Sequence, residues 1–192
     1  MQLVRIMDEY DKKNGKKIFR LAEISALLQT SPQSAGMLLL RAMKSEIVFR
    51  VKSYWINQRN PPTLEELALT LRLPSYISFE SALYQHGILS QAPQGALTLA
   101  TIKRPEKINT PLGTIQYIHI KQDIFFGYDK NRLATAEKAW LDLLYIRSLR
   151  NRNPVLFETF YPEELNGKLI HKLIGSFPDR VMNWDRQIRF NK

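Results

Sequence analysis

Residues 74–89 read PSYISFESALYQHGIL, and residues 134–146 read ATAEKAWLDLLYI. Each stretch predicts a helix that begins at a hydroxyl cap, Ser78 or Thr135, with a carboxylate two residues later. The cap oxygen accepts a free backbone N–H, and the carboxylate lies near the positive end of the helix dipole. Gly87 is expected to end the first helix, because glycine tolerates the left-handed backbone conformation. These patterns predict two well-capped helices.

Composition limits the class of protein. A chain of 192 residues with 44% hydrophobic residues can hold one large domain or two small ones. The longest apolar runs are too short for a membrane span, and the opening MQLVRIMDEYDKK lacks the pattern of a signal peptide. The sequence contains no cysteine, which excludes disulfides and thiolate metal sites and fits a reducing compartment. We therefore expect a soluble, cytoplasmic protein.

The net charge of +10 is distributed unevenly. Residues 1–60 contain eleven Lys/Arg and five Asp/Glu, a balance of +6, whereas residues 61–192 contain seventeen and thirteen, a balance of +4. A small basic domain attracts polyanions through counterion release and electrostatic steering. Charge alone leaves two interpretations open, a nucleic-acid-binding surface and an ordinary solvated basic face.

The apolar spacing within residues 1–60 predicts three helices followed by a β-hairpin. The first helix ends at Asn14-Gly15, and the second follows Ile18-Phe19. The third is expected over residues 32–45, with Ser31 as its cap and Pro32 at its first position. Its expected core stripe is Ala35, Leu38, Leu39, Ala42 and Met43. Apolar segments on both sides of Lys52-Ser53 then predict a hairpin with a two-residue turn.

Three helices and a hairpin predict a winged helix-turn-helix, in which the second helix of the turn enters the major groove. The candidate DNA-binding residues are Gln33, Ser34, Met37, Arg41, Lys44, Arg50, Lys52 and Tyr54. Gln33 and Ser34 are placed to contact base edges, whereas Arg41 and Lys44 are placed for phosphates. Met37 and Leu40 leave two alternatives, contact with thymine methyl groups or packing beneath the wing. Packing is favoured for Leu40.

Residues 58–62, QRNPP, predict a boundary, because two successive prolines cannot continue a strand ladder. The expected domains are residues 1–60, the winged helix-turn-helix, and residues 61–192, a mixed α/β domain. The predicted fold class is therefore α+β. Thr63 and Glu66 predict a capping box at the next helix. Later strands are expected at residues 96–102, 114–121 and 123–127, and later helices at about 162–174 and 178–188.

Two phrases in the second part of the chain carry a resemblance to a known family. They are YISFESAL at residues 76–83, followed by His86-Gly87, and AEKA at residues 136–139, followed by LDLLY at residues 141–145. With weaker matches at residues 101–104, 114–119 and 126–127, they make residues 64–150 resemble the carboxy-terminal domain of AbiEi-type antitoxins. These are regulators from abortive-infection toxin–antitoxin operons, and the family places a winged helix before this domain.

The resemblance implies an autorepressor and antitoxin of a type IV operon that acts in phage defence. Its partners would be double-stranded operator DNA and a nucleotidyltransferase-like toxin that it counteracts without a stable complex. The chain would be a monomer in solution or a dimer on DNA. Two alternatives are an antitoxin that binds its toxin directly and a DNA-binding regulator unrelated to a toxin. Lys103, Arg104 and Lys107 are candidates for an additional basic surface that supports antitoxicity or DNA binding.

The motifs do not favour an enzyme, a cofactor or a metal site. The three histidines are dispersed, and the sequence has no P-loop, nucleophile elbow or dinucleotide fingerprint. Asp123, Glu137 and Lys138 loosely resemble the acidic and basic residues of metal-dependent nucleases. However, Glu137 and Lys138 are adjacent, so they point about 100° apart on a helix. Glu137 is instead expected to face the helix dipole, and Asp142 to pair with Lys138.

Overall fold

The computed structural model describes residues 2–91, 93, 95–149 and 160–190. Within them the protein is a mixed α+β structure with eight α-helices and two β-sheets, which confirms the predicted class. The chain forms two compact units: the first is Met1–Leu71 with Thr110–Leu112, and the second is Arg72–Asn109 with Gly113–Lys192. None of the helices in the described part of the chain has the length and apolar content of a membrane span.

The first unit contains four helices and a three-stranded sheet. Its elements are α1 (Gln2–Asn14), β1 (Ile18–Arg20), α2 (Leu21–Leu27), α3 (Pro32–Lys44), β2 (Val48–Val51), β3 (Tyr54–Asn57) and α4 (Leu64–Leu71). The sheet is antiparallel in the order β1-β3-β2. Val51 pairs with Tyr54, so Lys52-Ser53 forms the predicted two-residue turn. Ile18 and Phe19, predicted only to precede the second helix, form strand β1 because β3 supplies a distant pairing partner.

The core of the first unit lies between one face of this sheet and the helices. Its buried cluster consists of Leu3, Met7, Phe19, Ile24, Leu39, Val48 and Trp55. Helix α3 contributes a narrower stripe than predicted: Ala35 and Leu39 are 0% exposed, whereas Leu38 and Met43 are 40% and 38% exposed. The prediction that Leu38 and Met43 are core residues was wrong. They lie on either side of the buried Ala35–Leu39 stripe, on a helix that packs against α2 and β2.

Two predicted helix caps are present in the first unit. The Ser34 backbone N–H donates to Ser31 Oγ over 3.1 Å at the start of α3. At α4 the Thr63 N–H donates to the Glu66 carboxylate over 2.8 Å, and the Glu66 N–H donates to Thr63 Oγ1 over 3.1 Å. This reciprocal pair is the predicted capping box. The helix it starts belongs to the first unit, although the sequence boundary had placed it in the second domain.

In its described residues, the second unit contains a four-stranded mixed sheet and four helices. Its elements are β4 (Ser75–Ile77), α5 (Phe79–Gln85), β5 (Leu97–Thr101), β6 (Glu106–Thr110), β7 (Gly113–His119), α6 (Ala136–Leu149), α7 (Gly167–Ile174) and α8 (Asp179–Phe190). The strand order is β4-β5-β7-β6, with β4 antiparallel and β7 parallel to β5. Helix α6 packs against α5, α7 and α8 and is the central helix of this unit.

Three sequence-based assignments in the second unit differ from the structure. The strand expected at residues 123–127 is instead a 3₁₀ turn, Gln122–Ile124, closed by the Phe125 N–H donating to the Gln122 carbonyl. Strand β6 was not predicted, because its sequence EKINT is polar and it lies at the sheet edge. The helix expected from residue 162 begins with a 3₁₀ turn, Pro162–Glu164, and α7 starts only after the Asn166 cap.

Candidate functional site

The outer face of helix α3 carries five of the eight candidate DNA-binding residues. Its fully buried side, Ala35 and Leu39, forces the opposite side of the helix into solvent. The exposed candidates are Gln33, Ser34, Met37, Arg41 and Lys44. Gln33 and Ser34 lie in the first turn, whereas Arg41 and Lys44 lie in the last turn. The face therefore presents polar groups at its amino-terminal end and cations at its carboxy-terminal end.

Two apolar side chains lie on the same outer face. Met37 is 55% exposed and Leu40 is 43% exposed. The prediction that Leu40 packs beneath the hairpin was wrong, because nearly half of the side chain stays in solvent. Full burial of such side chains stabilises a fold by about 1.5–3 kcal/mol, and the fold uses only part of that gain here.

The hairpin holds Arg50 in a fixed position. Arg50 is exposed, its Nε donates to the Lys52 carbonyl over 2.7 Å, and its guanidinium lies 5.3 Å from the Trp55 ring centroid. A cation over an aromatic ring and a backbone hydrogen bond together restrict its rotamers. Lys52 is exposed at the turn, where its backbone adopts a positive φ of 54°. The hairpin thus carries Arg50 and Lys52, the two cations predicted there, as exposed residues.

Arg20 is a basic residue of the hairpin region that sequence reasoning missed. Its guanidinium donates to Tyr54 Oη over 3.0 Å and lies 5.3 Å from the centre of that ring. The hydrogen bond to the Tyr54 hydroxyl raises the pKa of Arg20. The two residues are 34 positions apart and meet only because β1 pairs with β3, so no local pattern could have found the contact.

The cations of the hairpin lie on two faces of the sheet. Arg20 is directly opposite Tyr54, and Arg50 is directly opposite Trp55. Because neighbouring residues of a strand point to opposite faces, the Arg20–Tyr54 pair and the Arg50–Trp55 pair lie on opposite sides of the ribbon. Of the predicted hairpin residues, Arg50 and Tyr54 therefore lie on opposite faces of the sheet.

The three basic residues predicted in the second unit are also exposed. Lys103 and Arg104 follow β5, and Lys107 lies on β6. The Arg104 carbonyl accepts a hydrogen bond from Arg72 over 3.2 Å, which fixes the backbone that carries the cations. The three exposed cations therefore lie within residues 103–107, where β5 leads into β6.

A buried ionic network lies at the centre of the second unit. Lys138 and Asp142 are both 0% exposed, pair across one turn of α6, and confirm the predicted i, i+4 partnership. Lys138 Nζ also donates to Tyr76 Oη over 2.9 Å. Tyr76 Oη and Ser78 Oγ each donate to Asp142 Oδ2 over 2.8 Å. Ser78 therefore bonds Asp142 instead of capping α5 as predicted, whereas Thr135 does cap α6 through the Lys138 N–H.

Aromatic rings enclose the Lys138 ammonium. Its Nζ lies 5.4 Å from the Tyr76 ring centroid, 5.2 Å from that of Phe126 and 5.1 Å from that of Phe177. Burial lowers the pKa of Lys138, and the Asp142 carboxylate opposes that shift. Burial likewise raises the pKa of Asp142, and the nearby Lys138 ammonium opposes that rise. Perturbed pKa values often mark active sites, but this network is closed to solvent and its hydrogen bonds are satisfied internally. We interpret it as structural.

Further polar contacts of α6 attach other elements of the second unit. Glu137 lies in the first turn of α6, as predicted, and accepts a hydrogen bond from the Asn166 N–H over 3.0 Å. Trp140 Nε1 donates to Asp185 over 2.8 Å, and Arg189 forms two bonds to the same carboxylate. Among the residues that the structure describes, no group of three or more His, Asp or Glu side chains is arranged to hold a metal ion.

Comparisons with known proteins inform the fold. No protein-family model and no curated protein sequence matches the chain. The structure is similar to the crystal structure of the RV2827C protein from Mycobacterium tuberculosis, with a TM-score of 0.59 and 12% sequence identity. The similarity covers 96% of this chain and 75% of that chain. At this identity the likeness concerns the fold alone.

The buried ion pair generates a stability prediction. Lys138→Met leaves the Asp142 carboxylate buried without its counter-charge, so we expect the free energy of unfolding to fall by about 3–5 kcal/mol. The double variant Lys138→Met/Asp142→Leu removes both charges and should cost clearly less than the single variant. Urea denaturation followed by circular dichroism measures both. If the double variant is less stable than Lys138→Met, the pair does not act as one unit.

Gly127 generates a second stability prediction. Its φ is +77°, and a Cβ there would lie 2.9 Å from Lys138 Cγ. Gly87 is the matched control, because its φ is +74° and a Cβ there meets nothing within 4 Å. Both alanine variants carry the cost of positive φ, but only Gly127→Ala also displaces Lys138. We expect its loss of unfolding free energy to exceed that of Gly87→Ala by about 1–3 kcal/mol. Equal losses would mean that Lys138 moves freely.

Proposed function

We propose that the chain is a DNA-binding transcriptional repressor whose first unit is a winged helix-turn-helix. The order of its elements supports this: α1, β1, α2 and α3 precede a tight antiparallel hairpin, and β1 completes the sheet. In a winged helix-turn-helix the second helix of the turn, here α3, enters the major groove. The observation that carries the proposal is the exposed outer face of α3, which combines Gln33 and Ser34 with Arg41 and Lys44.

Each exposed side chain has a role in this proposal. Gln33 lies in the first turn, where it can form paired hydrogen bonds with adenine in the major groove, and Ser34 is a more permissive partner beside it. Arg41 and Lys44 neutralise phosphates further along the helix. Arg50 and Lys52 on the hairpin do the same for the neighbouring backbone, with Arg50 already held in position by Trp55.

We further propose that the second unit makes the chain an antitoxin of a type IV, AbiEi-like operon. The support is the sequence resemblance, and the structure indicates what the matching residues do. Tyr76 and Ser78 from the first phrase bond Lys138 and Asp142 from the second, so the phrases meet in one buried network. The resemblance is therefore carried by residues that build the core of this unit. The chain would act without catalysis, against a nucleotidyltransferase-like toxin.

The two parts of the proposal have separate tests. A gel-shift assay with the DNA upstream of the chain's own coding region tests repressor binding. Growth rescue tests antitoxicity, by co-expression with the product of the neighbouring gene. Rescue without co-purification supports an antitoxin that acts without a stable complex, whereas a stable complex supports the direct-binding alternative. DNA binding without rescue would leave a regulator unrelated to a toxin.

The cations of α3 generate a prediction about salt dependence. Arg41→Ala and Lys44→Ala should each weaken binding to every duplex and lower the slope of log K against log salt by about one, because each removes one phosphate contact. Fluorescence anisotropy across a salt series measures the slope. Lys130→Ala, an exposed lysine of the second unit, is the control with the same change in net charge. Unchanged slopes for both α3 variants would show that Arg41 and Lys44 do not contact DNA phosphates.

Gln33 generates a prediction about sequence preference. Gln33→Ala should cost about 1–3 kcal/mol on the preferred site and much less on random DNA, because it removes a base contact and no charge. Competition binding with operator and random duplexes measures both losses. Arg41→Ala serves as the contrasting variant, since its loss should be similar on the two duplexes. Equal losses for Gln33→Ala would show that Gln33 does not contact base edges.

A further inference from the structure

We propose that the outer face of α3 selects A·T base pairs, with Met37 and Leu40 packing against thymine methyl groups beside a Gln33–adenine contact. This inference rests on the proposed DNA-binding function and names the class of DNA that the helix accepts. Its starting point is that Met37 is 55% and Leu40 43% exposed, although both are large apolar side chains.

The helical geometry places these apolar side chains among the polar candidates. Gln33, Met37 and Arg41 recur every four residues and form one row along the helix, since four residues rotate by about 40°. Leu40 precedes Lys44 by the same spacing and forms the adjacent row. A duplex that contacts Gln33 at one end and Arg41 at the other must therefore also cover Met37.

The chemistry of the major groove supplies one apolar partner for such side chains. The base edges there are hydrogen-bond donors and acceptors, except for the C5-methyl group of thymine. Met37 or Leu40 over a guanine or cytosine edge would cover polar groups without bonding them, and an unbonded buried polar group is costly. Over a thymine methyl, the same side chains bury apolar area. Gln33 favours adenine, so both kinds of contact select the same base pair.

The charges around the apolar side chains favour DNA over a protein as the occupant. The whole of α3, PQSAGMLLLRAMK, contains no acidic residue, and Arg41 and Lys44 lie on the outer face. Arg50 and Lys52 add positive charge on the hairpin that follows. A polyanion matches this charge, and a second copy of the chain would bring the same cations into opposition.

The test removes only the methyl groups from the DNA. The probes are two fluorescein-labelled 24-base-pair duplexes of alternating A and T, one containing thymine and the other deoxyuridine. Base pairing and phosphate charge are the same in both. Loss of one buried methyl corresponds to about a fourfold loss of affinity. We expect the full chain to bind the thymine duplex about fourfold to sixteenfold more tightly, for one or two methyl contacts.

Variants identify the side chains responsible. Met37→Ala/Leu40→Ala should bind the two duplexes equally, whereas Leu38→Ala should keep the preference. Leu38 is the matched control because it is 40% exposed but lies about 100° around the helix from Met37. Circular dichroism checks that each variant is folded, and the comparison of duplexes with the unaltered chain does not depend on any variant.

Three results would overturn the inference in distinguishable ways. Salt-dependent binding with equal affinity for both duplexes rejects the methyl contacts and leaves the proposed DNA binding intact. No binding to either duplex at low salt rejects the proposed function as well. Self-association of the unaltered chain in sedimentation analysis, lost in Met37→Ala/Leu40→Ala and without discrimination between duplexes, makes the face an interface between copies of the chain.

Discussion

The burial of one narrow stripe of α3 fixes the orientation on which the proposed function depends. Ala35 and Leu39 are fully buried, and α3 packs on α2 and β2. Turning the helix would remove Leu39 from the core, and deleting a buried leucine costs about 2–5 kcal/mol. The outer face is thus held in solvent by the core behind it. Because the core holds the backbone of α3 rigidly, the helix loses little backbone entropy on binding a groove, and the entropy cost falls on its exposed side chains.

A different interaction organises the second unit. Lys138 and Asp142 lie on α6, and their partners Tyr76 and Ser78 lie 62 to 66 residues earlier. Such a network tolerates few substitutions of its side chains, because each polar group left without a hydrogen bond in the interior is costly. The close packing around Lys138 also accounts for the glycine at position 127, because a Cβ there would collide with the Lys138 side chain. The same network joins two short stretches that are far apart in the sequence, residues 76–78 and 138–142.

Local signals predicted much of the first unit. The Ser31 cap, the Thr63–Glu66 capping box and the two-residue turn at Lys52-Ser53 depend on neighbours in sequence, and all three are present. The outer face of α3 followed from helical periodicity. Strand β1 and the Arg20–Tyr54 pair could not be predicted in this way, because a three-residue strand acquires its identity only from a distant partner. The width of the buried stripe of α3 could not be predicted either, because it depends on tertiary packing.

In the second unit, the sequence predicted the Lys138–Asp142 pair but not the burial of the two side chains. A lysine and an aspartate four residues apart normally indicate a solvated helix face. Only the fold shows that rings from three other segments cover the ammonium, and that Ser78 serves Asp142 instead of its own helix. Polar edge strands carry an equally weak local signal, which is why β6 was missed. Local rules failed where long-range pairing decided the outcome.

In the proposed function, DNA is bound by the outer face of α3 and the hairpin of the first unit. Amide chemical-shift mapping of the isotopically labelled full chain, titrated at low salt with a 16-base-pair duplex, tests it most directly. We expect the largest shifts in residues 33–44 and around residues 50–54, with the buried network around Lys138 unchanged. Shifts confined to the second unit, or none at saturating DNA, would contradict DNA binding by this surface.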